Sequence, residues 1–279
     1  MSDLIEGHLA HLRAGGYSEQ TIDDRRKILL RLDRELPYGV EQVATEDLEE
    51  WLSQFYGWTL YTYRNHIVGF YRWSAAGHRP HLSFDPSADL ARKRPPKGVP
   101  RPASDDQVRG ALQLARPWRT AIVLARYNGL RCGEITRLDR EHVTRERMIV
   151  RRKGGKLAAM FVHPYVWAEV EELPAGPLVP HPRTGRRWIP DRLSGAMSEQ
   201  LAGVGLVGVT LHRFRHAFAT WMLLPVDLGG AGANLREVQV LMGHESPTST
   251  AIYTEITDGQ LRRLMQKLPT VTGSQQVAP

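Results

Sequence analysis

Six side chains after residue 130 have the types and order that phosphorus chemistry requires: Arg131 in "NGLRCGEI", Lys153 in "RRKGGK", His212 and Arg215 in "LHRFRH", His244 in "MGHES" and Tyr253 in "AIYT". Two guanidinium groups can hold the two non-bridging oxygens of one phosphate through their planar donor forks. Two imidazoles can donate to that phosphate or move a proton, a lysine can protonate a leaving oxygen, and a phenol relieved of its proton is a nucleophile. Together they form a complete set for phosphoryl transfer in which fixed protein cations, rather than a metal ion, meet the charge of the transition state. No metal and no organic cofactor is expected. Each residue also has an ordinary structural role open to it: Gly243 as a helix C-cap, His244 as a satisfied polar residue, Tyr253 as a core aromatic, Arg215 as the partner of a carboxylate such as Glu237.

The surrounding patterns predict the elements that position these residues. Ser104 and Gln107 form an S-x-x-Q capping box that opens a helix running to about Ala115. Pro117 suits the first turn of the next helix, which stops at Asn128-Gly129 and leaves Arg131 at or near the following helix start. Two β-prone runs, Met148 to Arg152 and Ala159 to Val162, flank the hairpin-like connection "KGGKLA". Helical patterns return at 191–202, 211–224, 234–242, 247–253 and 257–267, and the glycine-rich "LLPVDLGGAGANLREVQ" between them reads as a loose loop.

The first part of the chain is helical throughout: Asp3 to Ala14, Ser18 to Glu35 with Ser18 as N-cap, Thr45 to Phe55, and Trp58 to Ala75. On the last of these, Leu60, Tyr63, Ile67, Phe70, Tyr71 and Ser74 share one face, with Thr62, Asn65, Gly69 and Arg72 opposite. That opposite face is either solvated or laid against a duplex, with Gly69 permitting close approach and Arg72 reaching a phosphate or base edge. The stretch "LARKRPPKGVPRPAS" then brings four prolines and five basic residues, Arg92, Lys93, Arg94, Lys97 and Arg101, without an acid. It reads as an extended linker whose charges lie in water or along phosphates. The expected fold is mainly α with a small β-sheet: a helical domain over 1–89, a linker over 90–103, an α+β domain over 104–269 and a disordered tail over 270–279.

Composition narrows the function classes. With 279 residues, 42% apolar and 24% charged, the chain is an ordinary globular protein of two domains, and no apolar run approaches the roughly 18 residues of a membrane span. The N-terminus lacks the pattern of a secretion signal, and Cys132 stands alone, so no intrachain disulfide forms; a reducing cytoplasm is the expected setting. Residues 90–156 hold 18 Lys/Arg against 6 Asp/Glu, while residues 1–89 hold 9 against 14. The positive field is therefore concentrated in the middle of the chain, where a polyanion such as DNA gains from counterion release.

The sequence resembles the tyrosine recombinases, the phage integrase and Xer-type family of site-specific DNA recombinases. "NGLRCGEITRL" resembles the family's first-arginine motif, "LHRFRHAFAT" its H-x-x-R box, and "VQVLMGHESPTSTAIYT" its final block from the second histidine to the nucleophilic tyrosine. "GFYRWSAAG" with Asp85-Pro86 is similar to the family's core-binding domain, a less specific match. The resemblance implies that Arg131 and Arg215 hold the scissile phosphate, His212 assists proton transfer, Lys153 on the hairpin is the general acid, His244 bonds the phosphate, and Tyr253 forms a 3′-phosphotyrosyl link. Glu134 matches a bracing acidic position, and Lys156 competes with Lys153 for the acid role. The implied partners are double-stranded core sites, three further copies of the chain in a tetramer on paired DNA, and an accessory or directionality protein; the implied setting is the nucleoid of a bacterial cytoplasm. With the helical pattern beginning at Asp3, no arm-binding domain is expected, and recognition is expected to be confined to core-type sites.

Three rival readings stay open on the residues alone. His212 and His216 have the i, i+4 spacing of zinc ligands, although H-R-F-R-H lacks the glutamate of H-E-x-x-H. The chain could also be a non-catalytic DNA-binding relative, or a monomeric enzyme resembling type IB topoisomerases.

Overall fold

The computed structural model describes residues 2–77, 81–92, 94, 101–152, 155–242 and 258–270, and the chain divides into two compact units, Met1–Val99 and Pro100–Pro279. The first unit is four helices: α1 (Asp3–Ala14), α2 (Glu19–Glu35), α3 (Thr45–Ser53) and α4 (Gly57–Ser74). Serines open the first two, with Ser2 Oγ accepting from the Leu4 amide at 3.2 Å and Ser18 Oγ from the Thr21 amide at 3.3 Å. The predicted inward face of α4 is inward: Ile67, Phe70, Tyr71 and Ser74 are buried, and the Tyr71 hydroxyl donates to the Val40 carbonyl at 3.1 Å. Of the opposite face, Asn65 and Arg72 are exposed and Thr62 is half-buried. Gly69 has a close neighbour within its own unit. A Cβ there would lie 3.2 Å from Arg25 Nη1, so the close neighbour that the glycine admits is α2 of its own unit.

The second unit contains α5 (Asp105–Ala111), α6 (Trp118–Tyr127), α7 (Cys132–Ile135), β1 (Arg147–Arg151), β2 (Leu157–Phe161), α8 (Pro164–Val170), α9 (Pro190–Gly203), α10 (Leu211–Leu223), α11 (Leu235–Met242) and α12 (Asp258–Lys267). Every residue from Thr120 to Tyr127 is buried, the largely apolar run carrying Thr120 and Arg126 inward with it, and α10 and α8 pack against the helix. The buried Glu169 carboxylate bolts α8 to α6 by accepting from Thr120 Oγ1 (2.7 Å), Arg116 Nε (3.0 Å) and Arg119 Nε (3.1 Å). The strands pair antiparallel from Arg147–Phe161 to Arg151–Leu157, and the Arg152 amide donates to the Lys156 carbonyl at 2.8 Å across the turn. Met148 and Val150 point into the core while Arg147, Ile149 and Arg151 face outward.

Three features differ from the sequence expectations. The predicted helix from Ser104 to about Ala115 ends at Ala111, because Gln113 and Leu114 turn their amides to carbonyls three residues back and tighten the chain before Pro117. Helix α8 is additional; its signal is His163 as N-cap, with Nδ1 accepting from the Tyr165 amide at 3.1 Å, followed by Pro164 at the first helical position. The connector expected to be loose is laid back on the end of α10, the amides of Gly230, Ala231, Gly232 and Ala233 donating to Pro225, Trp221, Leu224 and Met222 carbonyls at 2.8–3.1 Å. A Cβ on Gly230 would come within 2.1 Å of the Leu224 oxygen, so glycine is what permits that return. Helix α12 packs on its own unit: Leu264, Met265 and Leu268 are buried, Arg262 pairs with Glu146 at 3.0 Å, and the Leu268 carbonyl lies 2.7 Å from His163 Nε2.

No helix among the described residues is long and apolar enough to cross a membrane. The cap at Gly243, the helix expected over 247–253 and the tail from residue 271 onward lie outside the described residues.

His8 makes the first unit acid-sensitive. It is 1% exposed, packed at 5.4 Å from the Phe70 ring and 5.0 Å from that of Trp73, and neither ring nitrogen has a hydrogen-bond partner among the described residues. Burial, then Arg25, His11 and His66, lower its pKa from 6.5 to about 4. Between those values the unfolded chain binds a proton that the folded chain refuses, so stability falls as pH drops from 6.5 toward 4, by on the order of 2 kcal/mol at pH 5. Thermal midpoints measured from pH 7 to pH 5 should fall, and His8→Leu should flatten that slope; an unchanged slope would remove His8 as the cause.

Candidate functional site

The site is assembled where α6 ends. Asn128 is buried there, its Nδ2 donating to the Phe161 carbonyl at 2.7 Å and its Oδ1 accepting from the His163 amide at 3.1 Å, which ties the helix end to the end of β2. Gly129 follows with φ +65°, and a Cβ on it would sit 2.7 Å from the Phe218 ring of α10. Only glycine meets both conditions. The tight turn sets Arg131 at the N-cap of α7 and presents the Gly129 carbonyl to Arg215 Nη1.

Two arginines from different elements then converge on one carboxylate. Glu134 is 5% exposed; its Oε2 accepts the Arg131 amide at 2.7 Å and its Oε1 accepts Arg131 Nη1 at 3.0 Å. Arg215, 3% exposed on α10, brings Nη1 to 3.8 Å from Glu134 Oε2. The guanidinium groups also share the carbonyl of Met242, the last residue of α11, at 3.4 Å from Arg131 Nη1 and 3.0 Å from Arg215 Nη2. A helix C-terminus carries partial negative charge, so its carbonyl is a natural neutral acceptor for such a pair.

One carboxylate does not balance the cations gathered here. Burial lowers the Arg215 pKa to about 10, Arg131 and Arg152 push it the same way, and Glu134 opposes them. The group stays protonated at neutral pH, in surroundings that favour an incoming anion. His212 keeps an exposed edge, and its ring meets that of His216 edge-on with centroids 4.3 Å apart. Its pKa lies below 6.5 through burial first, then His216, Arg215 and Arg131; His216 is lowered by burial and Arg215. At neutral pH His212 is therefore an uncharged imidazole able to accept a proton.

Of the residues singled out from the sequence, Arg131, Glu134, His212 and Arg215 are brought together. Glu237 is not the partner of Arg215 that the sequence left open: it caps α11, its Oε2 accepting the Asn234 amide at 2.7 Å while Asn234 Oδ1 accepts the Glu237 amide at 2.9 Å. Lys156 is exposed beside the hairpin turn. Lys153, His244 and Tyr253 lie outside the described residues, as do Lys93 and Lys97. Arg92, Arg94 and Arg101 are exposed, and the Arg101 carbonyl is held by Arg213 Nε at 3.0 Å. Sequence reasoning missed Arg152, whose charge is felt at Arg215, and the Met242 carbonyl; the first was visible beside Lys153 in "RRK", the second is a backbone atom without a sequence signature. Among the described residues no group of three His, Cys, Asp or Glu gathers as a metal-ligand set.

The Phage integrase family profile matches residues 106–260. The tyrosine recombinase XerD of Vibrio cholerae is 29% identical over 202 residues, covering 64% of this chain and 65% of that protein, so the match spans slightly under two thirds of the relative's length. The integrase from mycobacterium phage Brujita is 29% identical, with a TM-score of 0.51 over 95% of this chain and 92% of that one. A lambda integrase tetramer bound to a Holliday junction, at 18% identity, shares the fold with a TM-score of 0.67 over 91% of this chain and 80% of its own. The profile spans more than half of the chain and encloses Arg131, Glu134, His212 and Arg215, and the chain belongs to the phage integrase family, the tyrosine recombinases.

Proposed function

We propose that the chain is a site-specific DNA recombinase of the simple phage-integrase kind, which cleaves and rejoins strands through a 3′-phosphotyrosyl intermediate. The supporting observation is the convergence of Arg131 and Arg215 on Glu134 and the Met242 carbonyl. The carbonyl the pair shares belongs to Met242, two residues before His244 in the block that also carries Tyr253, so the arginines meet the chain at the start of the segment that would deliver the phenol.

In the proposed reaction Arg131 and Arg215 bind the non-bridging oxygens of the scissile phosphate. Neutral His212 takes the Tyr253 proton as the phenolic oxygen attacks phosphorus. The 5′-oxygen leaves with a proton from Lys153 or Lys156, and His244 donates to the phosphoryl group. Rejoining runs the same steps backward with a 5′-hydroxyl as nucleophile. The phosphotyrosine conserves the bond, so no ATP is needed, and the protein cations take the place a metal ion would fill at the phosphate. Thr62, Asn65 and Arg72 on α4 and the basic linker residues Arg92, Lys93, Arg94, Lys97 and Arg101 would track the core-site duplex. The lambda neighbour is a tetramer on a Holliday junction, and four copies on paired DNA, aided by an accessory protein within the host nucleoid, are proposed here. An Xer-like or mobile-element role uses the same chemistry.

Nicked suicide duplexes from the DNA flanking its own gene should trap a covalent protein–DNA band in the presence of EDTA. Tyr253→Phe should abolish that band while leaving duplex retardation nearly unchanged; a persisting adduct would remove Tyr253 as nucleophile, and loss of the band in EDTA would point to a metal. Arg215→Lys keeps the charge but loses the fork, and should slow adduct formation by roughly 10²- to 10³-fold. Lowering the pH protonates His212, so the rate at limiting protein should fall with a midpoint below 6.5. His212→Gln should erase that acid limb, and a midpoint above 6.5 would assign the limb to another group.

A further inference from the structure

Arg213 lies between His212 and Arg215 on the first turn of α10, yet its side chain is engaged with the end of the linker. Nε donates to the Arg101 carbonyl at 3.0 Å, Nη2 to the Pro102 carbonyl at 3.4 Å and Gln107 Oε1 at 3.1 Å, and Nη1 to the Gly208 carbonyl at 3.4 Å. The Arg213 carbonyl in turn accepts the Ala103 amide at 3.0 Å. Gln107 Oε1 also takes the Ser104 amide at 3.1 Å in the capping box of α5. One guanidinium therefore joins the last linker residues, the start of α5 and the loop before α10. All three of its nitrogens have protein acceptors, a use that depends on the planar fork and that a lysine ammonium cannot reproduce.

The other end of the linker is gripped in the same way by the first unit. Arg64 donates from Nε to the Ala91 carbonyl and from Nη2 to the Leu90 carbonyl, both at 2.7 Å. The ten steps from Ala91 to Arg101 reach at most about 36 Å, so a pull on either anchor is passed on once that length is taken up.

We propose that Arg213 is a positioning residue that couples the linker to the cation pair. As the linker follows DNA, the force on residues 101–103 arrives at the first turn of α10, one residue from His212 and two from Arg215. The coupling rests on the recombinase reading for its chemical consequence, but its mechanical part is separately measurable.

Three variants of the full chain test it: Arg213→Met, Arg213→Lys, and a Gly-Ser-Gly-Ser insertion after Gly98 that slackens the linker while leaving both anchors intact. On nicked suicide duplex at saturating protein, each should form adduct roughly tenfold or more slowly than the unaltered chain, since small misplacements of a reacting group have costs of that order. The insertion combined with Arg213→Met should be no slower than Arg213→Met alone. Full activity of Arg213→Lys would assign the residue to phosphate binding through its charge and overturn the proposal. So would an insertion that leaves the rate unchanged, or a combined effect equal to the product of the two. Hydrogen exchange at the amides of residues 211–216, with and without uncut duplex, is independent of cleavage: DNA should slow it in the unaltered chain and not in the Arg213→Met or insertion variants. Equal slowing in all of them overturns the coupling. An unaltered chain that binds DNA, shows the slowing and forms no adduct overturns the recombinase reading alone.

Discussion

Two guanidinium groups can stand side by side in a partly dry site only if something offsets their repulsion, and in this protein that is the buried carboxylate of Glu134. The same carboxylate caps α7 through the Arg131 amide, pairs with the Arg131 side chain and lies 3.8 Å from Arg215 Nη1. Because one residue serves all three purposes, the start of α7 and the first turns of α10 cannot shift independently. A second carboxylate would neutralise the pair and leave little field for a phosphate. One carboxylate against two arginines, with Arg152 adding to the field at Arg215, keeps the site positive.

The rest of the second unit follows from holding that arrangement. Arg215 is buried, so its donors need acceptors, and these come from the Gly129 carbonyl on one side and the Met242 carbonyl on the other. The first requires the left-handed turn that glycine allows against Phe218; the second requires α11 to end at the site. The end of α11 is in turn reached through the connector folded back on α10, where Gly230 passes the Leu224 carbonyl too closely for any side chain. Four separate stretches of chain are thus fixed by the hydrogen-bond needs of one buried cation.

Much of this was legible in the residues, and the parts that were not share a cause. Capping chemistry is local, so Ser104 with Gln107, Ser18 and Asn128-Gly129 marked their helix ends correctly. The β-prone run from Met148 to Arg152 likewise marked a strand. The order of the arginines and histidines was enough to name the site. Gly69 stayed ambiguous because a glycine states that something comes close without saying what, and within its own unit that neighbour is Arg25. The connector was misread as loose because backbone-to-backbone bonds have no side-chain signature. Glu237 stood open in the residues as an ordinary partner for Arg215, since only tertiary packing turns it to the start of α11 and leaves Glu134, the acid matched to a bracing position, beside the arginine.

The two arginines are unequal, and the inequality bears on how a phosphate is met. Arg215 is 3% exposed and bridges two backbone carbonyls from opposite sides, so its plane is set before any ligand arrives. The Arg131 side chain is 42% exposed, and its side-chain hydrogen bonds among the described residues all run through Nη1. A buried, preset cation costs no reorganisation when charge develops near it, which is the condition under which electrostatic stabilisation is largest. A half-exposed one, anchored by a single nitrogen, can turn its remaining donors toward an incoming oxygen while Glu134 keeps its base in place. Both touch the Met242 carbonyl, a weaker acceptor than a phosphate oxygen, so an arriving phosphate competes directly with the end of α11 for the same donors.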